Sequence, residues 1–263
     1  MENIEFSRYR CGEESTLATK SLASWLADTE TDRSYLPMMQ LRVAGKAAAA
    51  CTDTYYIAME GDNILSRLWH GWGNHPNAVG NFGNFLTKEE ARGKGVGRRL
   101  LDMWYEDLTG EENKPLGLFC SAMNGYLIDL YGGYGFTQAV IKPKYSMLYK
   151  PLGDSPETFE ELCLEYYCPA EKLTVKPADI QWRHEIDCLL KFTMSSMGET
   201  FGLPGCNTLE EAIVWPQIGN AQIVFTEKDR PVGWSFTGSD GITRWQLHPG
   251  FKRQFEDEFN VLL

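Results

Sequence analysis

The feature that most constrains this chain is a basic, glycine-rich segment between a predicted strand and a predicted helix. Residues 92–98 read RGKGVGR, so a glycine stands at every second position. This spacing leaves the backbone open at a helix start, where several N–H groups have no partner and the helix dipole is positive. Four cations accompany them: Arg92, Lys94, Arg98 and Arg99. We therefore expect an anion site for a phosphate-bearing ligand.

The charge of the whole chain limits which phosphate compound this segment can bind. The 263 residues include 25 lysines and arginines against 36 aspartates and glutamates, a formal charge of −11. Such an excess of negative charge opposes non-specific binding to nucleic acid or to anionic lipid. The expected ligand is a small polyphosphate, and neither nucleic acid nor a membrane is an expected partner.

Two common phosphate-binding loops do not match this segment. A Walker A loop needs Gly-x-x-x-x-Gly-Lys followed by Ser or Thr, and no stretch of the chain has that pattern. The dinucleotide fingerprint needs a third glycine three residues after Gly97, and the chain has Leu100 there. Both nucleotide-loop interpretations therefore fail.

A second motif lies downstream, in the stretch LFCSAMNGYLIDLYGGYGF. Asn124 follows a predicted strand, Tyr131 comes seven residues later, and Gly135-Phe136 ends the predicted helix. Together with the pattern Arg92-x-x-Gly95-x-Gly97, this motif resembles the coenzyme A loop and the helix after it in the GNAT superfamily of N-acetyltransferases. The resemblance covers about residues 1–150.

The resemblance implies a mixed α+β fold, acetyl-CoA as cosubstrate and no metal. It implies that pantetheine lies along a bulged strand, for which Gly80 and Gly83 fit, and that Tyr131 protonates the leaving thiolate. The residues that it implies for cofactor binding are Phe85, Leu86, Thr87, Arg92, Gly93, Lys94, Gly95, Val96, Gly97, Arg98 and Asn124. The acceptor would be a primary amine of a small molecule or peptide, and the acidic chain slightly favours a cationic one such as a polyamine.

The general base is where the sequence departs from the family pattern. Many relatives carry a glutamate on the bulged strand, whereas residues 78–87 offer only Asn81 and Asn84. A water relay past these two asparagines is a hypothesis. Other candidates, each more typical of a turn or of the surface, are Asp53, Glu60, His70 and His75. A non-catalytic acyl-CoA binding or sensing module therefore stays the alternative function.

The length exceeds one domain of roughly 150 residues, and the segment KPLGDS at residues 150–155 is the predicted boundary. Residues 151–263 repeat the order helices, hairpin, strand and helix without the paired glycines. We therefore expect a GNAT domain over 1–150 and a degenerate, partial GNAT-like domain over 151–263 that covers the acceptor side and does not bind CoA.

Several further expectations concern environment and individual side chains. The seven cysteines include no C-x-x-C pair, which favours reduced thiols over a zinc site. The N-terminus lacks the pattern of a signal peptide, so a cytoplasmic protein is expected, and a homodimer is possible. Trp69, Trp72 and Phe82 fit an acceptor pocket or the sheet core equally well.

Overall fold

The computed structural model describes residues 3–13, 16–29, 36–215, 219–261 and 263. The first part of the chain forms a seven-stranded sheet of order β1-β2-β3-β4-β5-β7-β6. Its strands are β1 (Ile4–Arg10), β2 (Cys51–Glu60), β3 (Asn63–Gly73), β4 (Gly80–Thr87), β5 (Gly117–Ala122), β6 (Thr137–Ile141) and β7 (Ser146–Pro151). Neighbouring strands are antiparallel except β4 and β5, which are parallel, so the sheet is mixed as the sequence predicted.

Helices cover both faces of this sheet because its central strands are apolar on both sides. They are α1 (Thr16–Thr29), α2 (Leu36–Val43), α3 (Val96–Gly110) and α4 (Gly125–Gly132). Successive residues of a strand point to opposite faces. Tyr55 accordingly packs in a cluster with α1 and α2, and Tyr56 packs in a cluster with α3. The apolar face predicted for α3 is buried, with Trp104 fully enclosed.

The second part of the chain forms a separate antiparallel sheet of order β11-β10-β9-β8. Its strands are β8 (Leu173–Pro177), β9 (Gly219–Thr226), β10 (Pro231–Gly238) and β11 (Thr243–Leu247). Its helices are α5 (Phe159–Tyr166), α6 (Lys191–Ser196), α7 (Leu209–Val214) and α8 (Lys252–Phe259), and a π-helical segment, Glu185–Leu190, precedes α6.

The two sheets share one connectivity over four strands. In each, the first strand is followed by helical segments, then by three strands that pair in chain order, and then by a helix. The connection before α3 runs over residues 88–95, whereas the one before α8 is only residues 248–251 and lacks paired glycines. The second part therefore has the order of the first without its glycine loop.

The two parts are joined by a common hydrophobic core. Val79 and Phe119 of the first sheet pack in one buried cluster with Phe159, Leu189 and Phe192 of the second part. The rings of Phe119 and Phe192 lie 5.0 Å apart between centroids. Because this core contains side chains of both parts, neither part buries it alone.

Apolar periodicity in the sequence predicts helices over residues 13–25 and 178–194, and β-branched and aromatic residues predict a strand over 136–149. The structure differs from the predicted elements in four places. Strand β1 had no sequence prediction, because a half-exposed edge strand has a weak apolar signal. The predicted helix 13–25 is α1, which runs on to Thr29. The predicted strand 136–149 is a hairpin, since the chain turns at residues 142–145, where the Lys142 N–H donates to the Tyr145 carbonyl. The predicted helix 178–194 is broken into a 3₁₀ turn, the π-helical segment and α6.

Candidate functional site

Strands β4 and β5 diverge after a short contact. Only Gly80 and Asn81 of β4 pair with β5, opposite Leu118 and Phe119, and residues 82–87 have no pairing on that side. A cavity of about 640 Å³ lies beside the divergent end of β4 and the starts of α3 and α4. An extended ligand therefore has free strand backbone along which it can lie.

A bulge in β4 directs its end away from β5. Trp69 pairs with Gly83 and Arg67 pairs with Leu86, so two residues of β4 stand opposite one residue of β3. Asn84, one of these two, has φ 54°, in the left-handed region that asparagine tolerates. Of the two interpretations of Gly80 and Gly83, a bulge or a close approach of another backbone or a ligand, the bulge lies just after Gly83. Gly80 fits the close approach, since a Cβ there would lie 2.7 Å from the Leu118 side chain and 2.8 Å from the Gly71 carbonyl.

The glycine loop forms a cradle of free N–H groups at the start of α3. Gly93 and Gly95 have φ values of 73° and 77°, and a Cβ on either would meet nothing within 4 Å. Loop hydrogen bonds are made by the N–H of Arg92 to Glu89 and by the N–H of Arg99 to Gly95. Within the described chain, the N–H groups of residues 93–98 make no hydrogen bond, which is the arrangement that a phosphate group needs.

Gly97 allows α3 to approach β4 closely. A Cβ at this position would lie 2.9 Å from both the Phe85 ring and the Thr87 hydroxyl. The start of α3 is thus held against the divergent end of β4, and the cradle and the free strand backbone face one cavity.

The structure places the predicted cofactor residues around this cavity with one exception. Arg92 and Arg98 line it, and the Arg92 Nε donates to the Thr87 carbonyl at 3.1 Å. Lys94 does not line it and faces a neighbouring pocket of about 300 Å³ beside Glu60. The other predicted residues that line the cavity are Phe85, Leu86, Thr87, Gly93, Gly95, Val96, Gly97 and Asn124.

Asn124 and Tyr131 are positioned by α4. Asn124 is the N-cap, and its Oδ1 accepts the N–H of Leu127 at 3.0 Å. The buried Tyr131 ring lies 6.3 Å from that of Phe85, which lines this cavity, and 5.3 Å from that of Phe82, which lines a second cavity. Burial, with a smaller effect of Cys120, raises the pKa of Tyr131, so the phenol is protonated at neutral pH.

The second cavity, of about 360 Å³, is enclosed by residues of both parts of the chain. The first part contributes strand residues, among them Trp69, Asn81, Phe82, Asn84 and Cys120. The second part contributes its helical residues, among them Arg183, His184, Asp187, Lys191 and Glu210. Trp69 and Phe82 are thus both buried and cavity-lining, whereas Trp72 belongs to the core.

A buried ion-pair network forms one wall of this cavity. Arg183 Nη2 lies 2.5 Å from Asp53 Oδ1, which also accepts the indole N–H of Trp69 at 2.9 Å. Arg42 pairs with Glu210, with its Nε 2.8 Å from Oε1. Asp53 is therefore a buried, ion-paired residue and not the turn or surface residue that the sequence suggested.

The two histidines proposed as alternative bases have structural partners. His70 is buried, its Nδ1 accepts from the Trp104 Nε1 at 2.9 Å, and burial lowers its pKa to about 3. It is thus neutral at physiological pH, and the expectation of a surface residue was wrong. His75 Nε2 lies 3.4 Å from the buried Glu185 carboxylate. Glu60 is exposed at the β2–β3 turn.

Asp187 is a carboxylate that the sequence analysis missed. Its oxygens accept the N–H groups of Leu209 and Glu210 at 2.7 and 3.0 Å. Burial raises the pKa of Asp187 to about 7, against the lowering effect of these two hydrogen bonds. The available signal was the pair Asp187 and Lys191, two charges four residues apart in an otherwise apolar helical stretch.

No group of three or more His, Cys, Asp or Glu among the described residues could hold a metal ion. Within the described ranges, no helix is both long and apolar enough to span a bilayer.

The mixed sheet, the divergence of β4 from β5 and the glycine cradle are the features that the resemblance to the GNAT superfamily implied. No family model matches the sequence, and no curated protein matches it.

Several solved structures are similar to part of this chain. The chain is similar to Escherichia coli ElaA with a TM-score of 0.44 and 14% identity, over 56% of this chain and 99% of the other. An acyl-CoA N-acyltransferase from Pseudomonas aeruginosa has a TM-score of 0.42 and 15% identity over 56% and 99%. The PaiA N-acetyltransferase from Thermoplasma acidophilum, in complex with coenzyme A, has a TM-score of 0.38 and 13% identity, over 57% of this chain and 99% of the other.

Proposed function

We propose that the protein is an N-acyltransferase that transfers an acetyl group from acetyl-CoA to a primary amine of a small molecule or peptide. The observation that carries this proposal is the cradle of free N–H groups opening into the same cavity as the unpaired backbone of β4. The residues present fit coenzyme A. The N–H groups of residues 93–98, with Arg92 and Arg98, would hold its pyrophosphate, and residues 85–87 would face its pantetheine arm.

In the proposed reaction, acetyl-CoA bound in the first cavity transfers its acetyl group directly to an amine bound in the second cavity. Acetyl-CoA, when bound, supplies a thioester carbonyl; the amine nitrogen forms a bond to that carbon and the carbon–sulfur bond breaks. The amine loses a proton to a base on the acceptor side, and Tyr131 gives its proton to the departing sulfur. Tyr131 suits this role because its ring contacts residues of both cavities. Burial raises the pKa of Tyr131, so the phenol carries the proton that the departing sulfur needs.

Within this proposal, residues 1–150 form the catalytic domain and residues 151–263 a degenerate copy that does not bind CoA. The short connection before α8, with no paired glycines, supports the second statement. A homodimer and a cytoplasmic location remain predictions from the sequence.

The function is tested by mixing the protein with acetyl-CoA and a panel of amines and measuring released thiol. Acceptor-dependent thiol release is the expected result. Binding of acetyl-CoA without thiol release for any amine would support the non-catalytic module and contradict the transferase.

The cradle is tested by the substitution Gly95→Val, for which Gly153→Val is a matched control. Both glycines have positive φ, 77° and 60°, and open space at the Cβ position, so the backbone strain is similar. Only Gly95 lines the cavity, and we expect its variant to bind acetyl-CoA at least about tenfold more weakly. Calorimetric titration measures both affinities, and equal binding by the two variants would remove the loop assignment.

A further inference from the structure

The charges around the second cavity identify what kind of amine it accepts. Three cations, Arg42, Arg183 and Lys191, and two carboxylates, Asp187 and Glu210, line it. Arg42 and Glu210 are paired with each other, and Asp53 pairs with Arg183 from behind the wall. With Asp53 included, three cations stand against three carboxylates, so the group has no net formal charge. A neutral set of buried charges fits a ligand with no net charge better than a cation of several charges.

Two cationic donors remain available inside this cavity. Arg183 is almost fully buried, and its Nη1 makes no hydrogen bond, although Glu210 Oε1 lies 3.6 Å away. The half-buried Lys191 lines the cavity and makes no hydrogen bond or ion pair within the described part of the chain, although its charge acts on Asp187. A buried guanidinium N–H without a partner is costly unless an acceptor oxygen of a ligand or water meets it. These donors suit a carboxylate group of the ligand.

Of the two carboxylates that line the cavity, Asp187 is the one available to contact the amine of a ligand. Glu210 is held by Arg42 and lies near Arg183, whereas the hydrogen bonds of Asp187 within the described residues come from backbone N–H groups. Each Asp187 oxygen accepts one hydrogen bond and keeps a further lone pair. The groups that face Asp187 from the packed elements are Glu210 on α7, Lys191 on its own helical segment, Arg42 and Arg183.

The geometry and charge of this cavity support one inference, which rests on the proposed function. We propose that the acceptor is a small amine that carries a carboxylate, such as an amino acid, with Arg183 and Lys191 binding its carboxylate and Asp187 facing its amine. Asp187 takes a proton from the ammonium group, the freed nitrogen attacks the thioester carbon, the carbon–sulfur bond breaks, and the departing sulfur receives the proton of Tyr131. The nitrogen gives its second proton to the Tyr131 phenolate, which restores the phenol, and Asp187 releases its proton to solvent. The second part of the chain thereby supplies the acceptor-binding groups.

The size of the cavity agrees with a small acceptor. Its volume of about 360 Å³ lies at the lower end of the range for small-molecule sites, roughly 300 to 1,000 Å³. Polyamines, which the net charge of the chain slightly favoured, would need several free carboxylates, and the cavity offers one.

The proposal is tested with matched sets of acceptors. Each of the common amino acids is compared with its amide and with the amine that lacks the carboxylate, by thiol release in the presence of acetyl-CoA. We expect at least one amino acid to exceed both analogues in kcat/KM by about tenfold or more, since a charged hydrogen bond is lost in each. Equal or better rates for the analogues of every amino acid would overturn the proposal.

The substitution Lys191→Met tests whether Lys191 binds the carboxylate of the acceptor. Lys252→Met, on the exposed face of α8, is the control. The expected result is a rise of about tenfold in the KM of the amino acid, whereas the KM of the amide and the Kd of acetyl-CoA stay unchanged. An equal effect on amino acid and amide would contradict the assignment.

A binding measurement separates this proposal from the transferase itself. Calorimetric titration of the same amino acids into the CoA-loaded protein does not need turnover. Amino-acid binding that Lys191→Met weakens, without thiol release, would support the cavity assignment while the proposed activity fails. No binding and no turnover of any amino acid, with other amines acetylated, would overturn the cavity assignment alone.

Discussion

At the scale of single residues, backbone conformation determines where a ligand can approach the chain. Gly93 and Gly95 adopt left-handed φ values and leave open space where a side chain would stand. Asn84 adopts the same region within β4 and produces the bulge there. A sequence shows that glycine tolerates such conformations, but the choice of Asn84 over Gly83 depends on the register with β3.

A testable consequence at this scale concerns His70. Burial lowers its pKa from 6.5 to about 3, so the unfolded chain takes up this proton at a higher pH than the folded protein. The stability that neutral His70 contributes is therefore present above pH 6.5 and is lost as the pH falls towards 3. By about pH 4.5 the loss reaches roughly 2–3 kcal/mol, since one pKa unit corresponds to about 1.4 kcal/mol.

The variant His70→Gln keeps an acceptor for the Trp104 indole and cannot be protonated in this range. We expect urea unfolding to show a smaller loss of stability between about pH 7 and 4.5 than in the wild type, by roughly that amount. Burial also lowers the pKa of His184 and of His248, so some acid sensitivity persists in the variant. The same pH dependence in both proteins would contradict the prediction.

At the scale of elements, helix α4 joins a structural role to a binding role. Asn124 caps it, and the same residue lines the first cavity. The motif that indicated a cofactor residue therefore coincides with an ordinary N-cap, a position where Asn, Asp and Ser are favoured. Only variants that separate capping from ligand contact can apportion the two roles.

Asn124→Asp retains a capping oxygen but adds negative charge beside a site for an anion. We expect nearly unchanged stability and weaker acetyl-CoA binding, whereas Asn124→Ala loses about 1 kcal/mol of stability with the cap. Thr158→Ala, which removes the cap of α5 away from the cavity, serves as control and should cost similar stability without changing affinity. Thermal unfolding and calorimetric titration measure the two effects, and unchanged affinity of Asn124→Asp would show that this residue only caps α4.

At the scale of the whole molecule, buried charge and a shared core join the two parts. Asp53 and Arg42 lie before residue 150, and their partners Arg183 and Glu210 lie after it. Removing one member leaves an uncompensated buried charge, which costs far more than the intact pair contributes. The network therefore joins the two parts beside the second cavity.

We expect Arg183→Met to lower the free energy of unfolding by about 3–5 kcal/mol, because Asp53 loses its buried partner. Lys176→Met, which breaks the exposed pair with Asp229, is the control and should cost under about 1 kcal/mol. Urea denaturation compares the two variants. Similar, small losses in both would show that the buried network does not hold the two parts together.

The local features of the first site follow from the sequence alone. The loop glycines, their neighbouring cations, the apolar face of α3 and the motif around Tyr131 are short-range patterns. The structure brings the loop glycines, Arg92, Arg98 and Asn124 to one cavity, whereas Lys94 and Arg99 do not line it and the apolar face of α3 packs in the core. Short-range patterns are readable because backbone conformation and helix periodicity depend on residues close in the chain.

The acceptor side depended on tertiary structure. Asp53 and His70 were expected at the surface, yet long-range packing buries both, and Asp187 acquires its surroundings from α7, more than 20 residues away. Pairs such as Arg42 with Glu210 span 168 residues and leave no local pattern in either segment. The sequence by itself determined where the proposed polyphosphate site lies, whereas only the fold decided which charges meet across the second cavity, because burial and charge pairing depend on contacts distant in the chain.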